Sequence, residues 1–131
     1  MELKIAQIQM PVTADRAENI RRACDMVRQA GDIDMAVLPE MFCCPYDNAC
    51  FRAYGEPEGG PAYQMLSRTA RELNLWLVGG SLPELDGDKI YNTAYVFDPT
   101  GTCVARHRKM HLFDIDVQGG QSFRESATLS P

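Results

Sequence analysis

The stretch RHRKMHLFDID, residues 106–116, places five potentially positive side chains beside two acidic ones. Three kinds of chemistry fit these residue types: phosphate binding by a basic patch, metal binding by the histidines and aspartates, or catalysis by the single lysine, Lys109. A structural role is a fourth interpretation, because charged side chains commonly protect the exposed edge of a β-sheet. The remaining motifs of the chain decide between them.

The metal and phosphate interpretations are the weaker ones. Residues 102–109, TCVARHRK, are predicted as a strand, on which side chains four residues apart share a face but lie too far apart to bind one small cation. His107 and His111 have this spacing, and Asp114 and Asp116 would have to complete a set that lacks a third histidine and a suitable cysteine. We therefore predict no metal. A net charge of −5 also argues against nucleic acid as a partner.

Glu40, in the motif LPEMF, is a second candidate for chemistry. It follows an apolar run predicted as a strand, and ligand sites in open α/β sheets gather at the carboxyl ends of strands. An acid beside so much apolar sequence is expected to be desolvated, which would suit a general base. A solvated loop acid is the alternative, and position alone does not separate the two. Glu125, in SFRESATLSP, has no interpretable context of its own.

The apolar patterns predict alternating strands and helices. Asp15, followed three residues later by Glu18, resembles a capping box, and Gly31 suits the position just after a helix. Pro61 suits the first turn of a second helix. The predicted strands are residues 3–10, 34–40, 75–81, 90–98 and 102–109, the last two being part of an antiparallel meander. Residues 43–60 are predicted to be irregular and turn-rich, and the tail after residue 116 shows little periodicity. The fold class is α/β.

Bulk properties fit one globular domain. A chain of 131 residues with 45% hydrophobic and 24% charged residues can bury a real core. The N-terminus lacks the pattern of a signal peptide, and no apolar run is long enough for a bilayer span, so we expect no membrane partner. Five scattered cysteines without CxxC spacing favour a reduced, cytoplasmic setting. GGP and VGGS lack the spacing of a phosphate-binding loop, and no cofactor is predicted.

Six motifs in order along the chain resemble the nitrilase, or carbon–nitrogen hydrolase, superfamily, and most closely its ω-amidase branch. They are KIAQIQMPVTADRAENI, DMAVLPEMFCCPY, LVGGSLPE, YNTAYVFDPTG, RKMHLFDID and FRESATLSP. The resemblance implies an α-β-β-α sandwich, of which residues 1–131 supply roughly the N-terminal half of a single domain, with a mixed sheet and two main helices. It also implies hydrolysis of small-molecule amides, with ω-amides of dicarboxylic acids or their keto analogues suggested by the nearest branch.

The same resemblance implies the roles of particular residues. Glu40 matches the general base, Lys109 the catalytic lysine and Glu125 the assisting second glutamate. In the family a cysteine thiolate attacks the amide carbon, the glutamate takes its proton, and the lysine stabilises the oxyanion. Phe42 and Tyr46, just after Glu40, are expected to line the substrate pocket.

The chain departs from the family pattern at the nucleophile. That cysteine lies beyond the TLSP motif in the family, and none of the five cysteines here has the matching context. We therefore expect residues 1–131 to be inactive alone, and an uncovered sheet face to lead to homo-oligomerisation, other association or partial disorder. The main alternative is a non-catalytic remnant that acts only through association. A flavodoxin-like binding module is weaker still, because the phosphate loop is missing.

Overall fold

Six strands form one mixed β-sheet in the computed structural model, which describes residues 2–131. In chain order the elements are β1 (Ile5–Gln7), α1 (Arg16–Gln29), β2 (Met35–Val37), α2 (Asn48–Tyr54), α3 (Pro61–Leu73), β3 (Trp76–Val78), β4 (Leu82–Asp86), β5 (Lys89–Phe97), β6 (Cys103–Arg108), β7 (Asp114–Asp116), β8 (Ser122–Arg124) and a short 3-10 helix (Glu125–Ala127). Strands β1, β2 and β3 are parallel, whereas β5 pairs antiparallel with β3, β4 and β6. The predicted α/β class and the mixed sheet are confirmed.

Both main helices begin where the sequence predicted, and α1 also ends there. The Asp15 side chain accepts a hydrogen bond from the Glu18 backbone N–H at 3.0 Å, and Gly31 adopts a φ of 78°, which glycine tolerates best. The Glu18 side chain pairs with arginines of α1 instead of closing a reciprocal capping box. Pro61 begins α3, and Asn74 ends it in the left-handed region.

Two segments in which the sequence predicted no regular structure contain short elements. The segment 43–60 contains helix α2, capped by the Asp47 side chain, and the tail contains the hairpin of β7 and β8. Both elements are short and depend on packing: Phe51 of α2 and Leu129 of the tail share a small core with Met41 and Ile90. Local periodicity could not reveal them, because tertiary contacts stabilise elements this short.

The main core lies between the sheet and the pair of helices α1 and α3. It joins Ile20 and Val27 of α1, Leu66 of α3, and Leu77 and Phe97 of the sheet. No helix among residues 2–131 is both long and apolar enough to cross a bilayer.

Residues 2–131 leave the other face of the sheet uncovered. Ala36 and Leu77 point into the core, so strand alternation turns their neighbours the opposite way. Ile5 and Trp76 lie on either side of Met35 in the register and are 52% and 41% exposed. We call this surface the open sheet face; its apolar residues are Ile5, Met35, Val37, Trp76, Val78 and Val96. An apolar face without a partner layer is what half of a sandwich is expected to leave.

Glu56 connects the two helices beneath the sheet edge. Its side chain is almost fully buried and accepts hydrogen bonds from the backbone N–H groups of Ala62 and Tyr63, both at 2.9 Å. It thereby caps α3, whose N-cap residue is a glycine with no side chain to do so. The same carboxylate pairs with Arg16 at the start of α1.

We expect Glu56→Ala to lower the free energy of unfolding by about 3 kcal/mol, because it leaves Arg16 unpaired and removes the cap of α3. Urea unfolding followed by circular dichroism measures this. Glu58→Ala is the matched control, because Glu58 and its partner Arg106 have side chains 48% and 42% exposed. Loss of that exposed pair should change the free energy by less than about 1 kcal/mol. Equal effects of the two substitutions would contradict a special role for Glu56.

Candidate active site

The turn after β2 places Glu40 at the carboxyl end of a strand. The backbone N–H of Leu38 donates to the Val78 carbonyl at 2.9 Å, which extends the pairing of β2 with β3 up to Pro39. Ser81 then holds the chain on the far side of Glu40, because its Oγ accepts from the Met41 N–H at 3.0 Å. Met41 has a φ of 50° in this turn, an uncommon conformation that the surrounding bonds maintain.

Gly80 allows the two connections to approach this closely. A Cβ at this position would lie 2.0 Å from the Pro39 carbonyl oxygen, and the φ of Gly80 is +59°. Glycine is needed here for both space and conformation.

Lys109 follows directly from the end of β6. Its backbone N–H donates to the Asn92 carbonyl of β5 at 2.8 Å, so the ladder between these strands continues one residue beyond Arg108. Its Nζ lies 3.1 Å from Glu40 Oε1 and 3.0 Å from Glu125 Oε2. The structure thus brings all three sequence-predicted residues, Glu40, Lys109 and Glu125, into one cluster.

Glu125 is the fully buried member of the cluster. It begins the 3-10 helix, and its carboxylate accepts hydrogen bonds from the Tyr46 hydroxyl, the Phe113 backbone N–H and Lys109. Burial opposes its charge, but the Phe113 N–H, Tyr46 and Lys109 outweigh that effect and lower the pKa of Glu125 below its usual value. Glu125 is therefore an ionised carboxylate at neutral pH.

The ammonium of Lys109 is stabilised in turn. Its burial favours the neutral amine, but hydrogen bonds to Glu125 and Glu40 outweigh burial and raise the pKa of Lys109 above the ordinary lysine value. A third contact places Nζ 3.4 Å from the Tyr46 hydroxyl oxygen. Lys109 is thus a permanently charged hydrogen-bond donor, which suits stabilisation of a negative charge and excludes a role as a general base.

A cavity of about 260 Å³ opens beside the cluster. The residues that line it are Glu40, Gly80, Ser81, Asn92, Ala94, His107 and Lys109. Glu40 was expected to be desolvated, but its side chain is 50% exposed, because the cavity opens on the uncovered side of the sheet. The expected desolvation of Glu40 is therefore wrong for residues 2–131.

The two residues expected to line a substrate pocket lie in different surroundings. Tyr46 contacts both Lys109 and Glu125, and burial together with the Glu125 carboxylate raises its pKa, so its hydroxyl stays protonated. Phe42 is fully buried in the main core. For both residues, contact with substrate stays a prediction.

The basic neighbours of Lys109 form ion pairs. Arg108 donates two hydrogen bonds to the buried carboxylate of Glu84 and stacks over Tyr91, 3.7 Å from the ring centroid. Arg106 pairs with Glu58 at 2.7 Å. Within residues 2–131, no group of three or more His, Cys, Asp or Glu residues is placed to hold a metal ion.

Sequence reasoning did not single out Asn92 and Ser81. Both are nearly buried, line the cavity and hydrogen-bond to Glu40 or to its neighbour Met41. Asn92 is a polar residue in the mostly apolar and aromatic strand β5, which could have drawn attention to it. Nothing in the local sequence, however, connects Asn92 to Glu40.

Because the folded-state pKa of Glu125 lies below the unfolded value of 4.5, its stabilisation is present above that pH and is lost as pH falls through the folded-state pKa. Glu125→Gln should therefore lower the free energy of unfolding at pH 7 by about 2 kcal/mol. The difference in the free energy of unfolding between the wild type and Glu125→Gln should become smaller as pH falls from 5 to 3. Urea unfolding across this range measures it, with the exposed change Asp116→Asn as control. If this difference in the free energy of unfolding does not depend on pH, Glu125 is not ionised in the folded protein.

Known proteins resemble this chain over nearly its whole length. A family model described as carbon–nitrogen hydrolase matches residues 4–131. An ω-amidase from Bos taurus is 45% identical over 130 residues, which cover 98% of this chain and 47% of that protein. A hydrolase from Schizosaccharomyces pombe is 48% identical over 132 residues, covering 98% and 41% respectively.

The fold is similar to solved structures as well. A crystal structure of a branch 10 member of the nitrilase superfamily from Saccharomyces cerevisiae has a TM-score of 0.84 and 37% identity, covering 98% of this chain and 48% of that one. The chain thus spans about half the length of the relatives it matches. The ordered motifs, the fold and the family match agree, and the chain belongs to the carbon–nitrogen hydrolase family of the nitrilase superfamily.

Proposed function

We propose that this chain carries the base, the oxyanion-stabilising group and the assisting glutamate of an amidase acting on small ω-amides. The observation that carries the proposal is the ammonium of Lys109, held between Glu40 and Glu125 at the wall of a cavity. The names of relatives such as the Bos taurus ω-amidase support the substrate class. No cofactor is needed, because acid–base and covalent catalysis suffice for amide hydrolysis.

Each group of the cluster has a distinct role in this proposal. Glu40, on the exposed side, takes a proton from a cysteine thiol and later gives one to the departing ammonia. Lys109 donates a hydrogen bond to the oxyanion of the tetrahedral intermediate, and its permanent charge is worth most in a dry site. Glu125 keeps Lys109 charged and in place. Water then hydrolyses the thioester, with Glu40 acting as base again.

The nucleophilic thiol is proposed to come from outside residues 1–131. Burial raises the pKa of the Cys43 and Cys44 thiols to about 12, and burial also raises that of Cys24. Such thiols are not thiolates at neutral pH. Cys50 packs beside the small core of α2, and Cys103 lies at the start of β6. All five are free thiols, which supports the cytoplasmic setting included in this proposal.

A chimera tests the proposal. Residues 1–131 would be joined to the part of the Bos taurus ω-amidase that follows the matched region. We expect ammonia release from monoamides of short dicarboxylic acids by the chimera and none by residues 1–131 alone. In the chimera, Lys109→Ala should lower kcat at least about 100-fold, because the oxyanion loses its donor.

Lys89→Ala, at the exposed start of β5, is the matched control and should leave kcat unchanged. Unchanged turnover in the Lys109→Ala chimera would refute the oxyanion role. Ammonia release by residues 1–131 alone would refute the proposal that the nucleophilic thiol comes from outside these residues. A folded chimera that releases no ammonia would favour the alternative of a non-catalytic remnant.

The open sheet face favours association, whether or not the chain is catalytic. We propose that residues 1–131 form the N-terminal part of one hydrolase domain, and that in isolation they associate through this face. Trp76, at 41% exposure, and Ile5, at 52%, present apolar surface that water does not favour. A homo-oligomer formed through two such faces is the simplest arrangement.

Sedimentation velocity tests this association. The wild-type chain should form oligomers, and Trp76→Glu should shift it toward monomer, because a charge would be buried without a partner. Val117→Glu is the matched control, because Val117 is 49% exposed but follows β7, which is not part of the six-stranded sheet. A monodisperse wild-type monomer with fully protected amides in hydrogen exchange would contradict the proposal.

A further inference from the structure

Asn92 is a buried polar residue that contacts both the proposed base and the proposed oxyanion donor. Its side-chain Nδ2 donates to Glu40 Oε1 at 2.7 Å, and its backbone carbonyl accepts from the Lys109 N–H at 2.8 Å. It is only 3% exposed and lies in the middle of β5, at the wall of the cavity. One residue of a rigid strand thereby fixes the relative position of two groups that lie far apart in sequence.

Within the described part of the chain, the side chain of Asn92 is directed at Glu40 alone. Among residues 2–131, its one side-chain hydrogen bond is the bond to Glu40. A buried asparagine with a structural role usually bonds to backbone groups, since most side-chain hydrogen bonds go to backbone or water. The amide of Asn92 is instead aimed at a carboxylate that is itself half exposed.

The bond from Asn92 makes the two oxygens of Glu40 unequal. Oε1 accepts from both Asn92 and Lys109, whereas in the described part of the chain no hydrogen bond reaches Oε2. The glutamate side chain has several rotatable bonds and would otherwise sample many orientations in the open cavity. A fixed Oε1 leaves Oε2 as the oxygen free to accept a proton.

We infer that Asn92 is a positioning residue that orients Glu40 so that Oε2 acts as the proton-accepting oxygen. This inference rests on the proposed role of Glu40 as the base. Asparagine suits the position because it donates a hydrogen bond without adding charge. An aspartate would repel Glu40, and an apolar residue of the same size would leave Lys109 as the one donor to that carboxylate among the described residues.

Carboxyl and amide NMR of the 131-residue chain tests this, with Glu40→Gln used to assign the Glu40 signal. In the wild-type chain, the Asn92 Nδ2 protons should shift with pH in step with the Glu40 carboxyl carbon. That shift should be lost in Glu40→Gln. No substitution at Asn92 is needed for this measurement, so a folding defect cannot obscure it. If the Asn92 Nδ2 protons do not shift as Glu40 titrates, the inference is overturned.

Substitutions at Asn92 give a second readout. In Asn92→Leu, the titration midpoint of the Glu40 carboxyl should move to higher pH, because the donor that stabilises the anion is gone. In Asn92→Asp, which keeps the size of the side chain, two facing carboxyls should titrate in two separate steps. Unmoved titrations in both variants would overturn the inference.

Thr93→Val is the matched control for general destabilisation. Thr93 is buried on the same strand, and its hydroxyl donates to a different carboxylate, Glu84, at 2.6 Å. This variant should leave the Glu40 titration unchanged, and a shift equal to that of Asn92→Leu would overturn the inference. None of these measurements involves turnover. If the titrations couple as expected but the chimera releases no ammonia, the amidase proposal fails and the contact between Asn92 and Glu40 stands.

Discussion

The carboxylate of Glu125 is charged and fully buried, and the arrangement of the site follows from that constraint. A buried carboxylate is stable only where donors and an opposite charge surround it. The Tyr46 hydroxyl, the Phe113 N–H and the Lys109 ammonium meet this need. These donors come from the loop after β2, the segment before β7 and the end of β6, so one buried charge holds together segments that the strands alone would leave separate.

The same charge determines which contacts of Lys109 can change during a reaction. The bond to Glu125 is inaccessible, whereas Glu40 is half exposed and lies on the side of the cavity. An oxyanion formed in the cavity would therefore compete with Glu40, and not with Glu125, for a hydrogen bond from the Lys109 ammonium. Release of Glu40 from Lys109 would also leave Asn92 as the donor that keeps the base in place. The proposed chemistry thus needs one fixed and one exchangeable carboxylate.

Elements with strong local signals could be predicted from the sequence, whereas the site could not be assembled from local signals. Helix α1 was predicted because Asp15 and Gly31 mark its ends, and the strands because their apolar runs stop at turns. Helix α2 was missed because its stability comes from packing of Phe51. Lys109 lies 69 residues from Glu40 and 16 from Glu125, a separation that no periodicity spans, so only the resemblance to a family connected them. The exposure of Glu40 was mispredicted for a related reason, because it depends on what covers the sheet.

The cavity and the open sheet face are parts of one surface. Ala94 and His107 line the cavity, are register partners, and lie on the same side of the sheet as Val96. Any layer that packs on the open sheet face would therefore also close the cavity and remove water from Glu40 and Lys109. Loss of water strengthens the interaction of the ammonium with an oxyanion. Burial of this one apolar surface would thus stabilise the sheet and exclude water from the cavity at the same time, so the stability of the sheet and the dryness of the proposed site depend on the same contact.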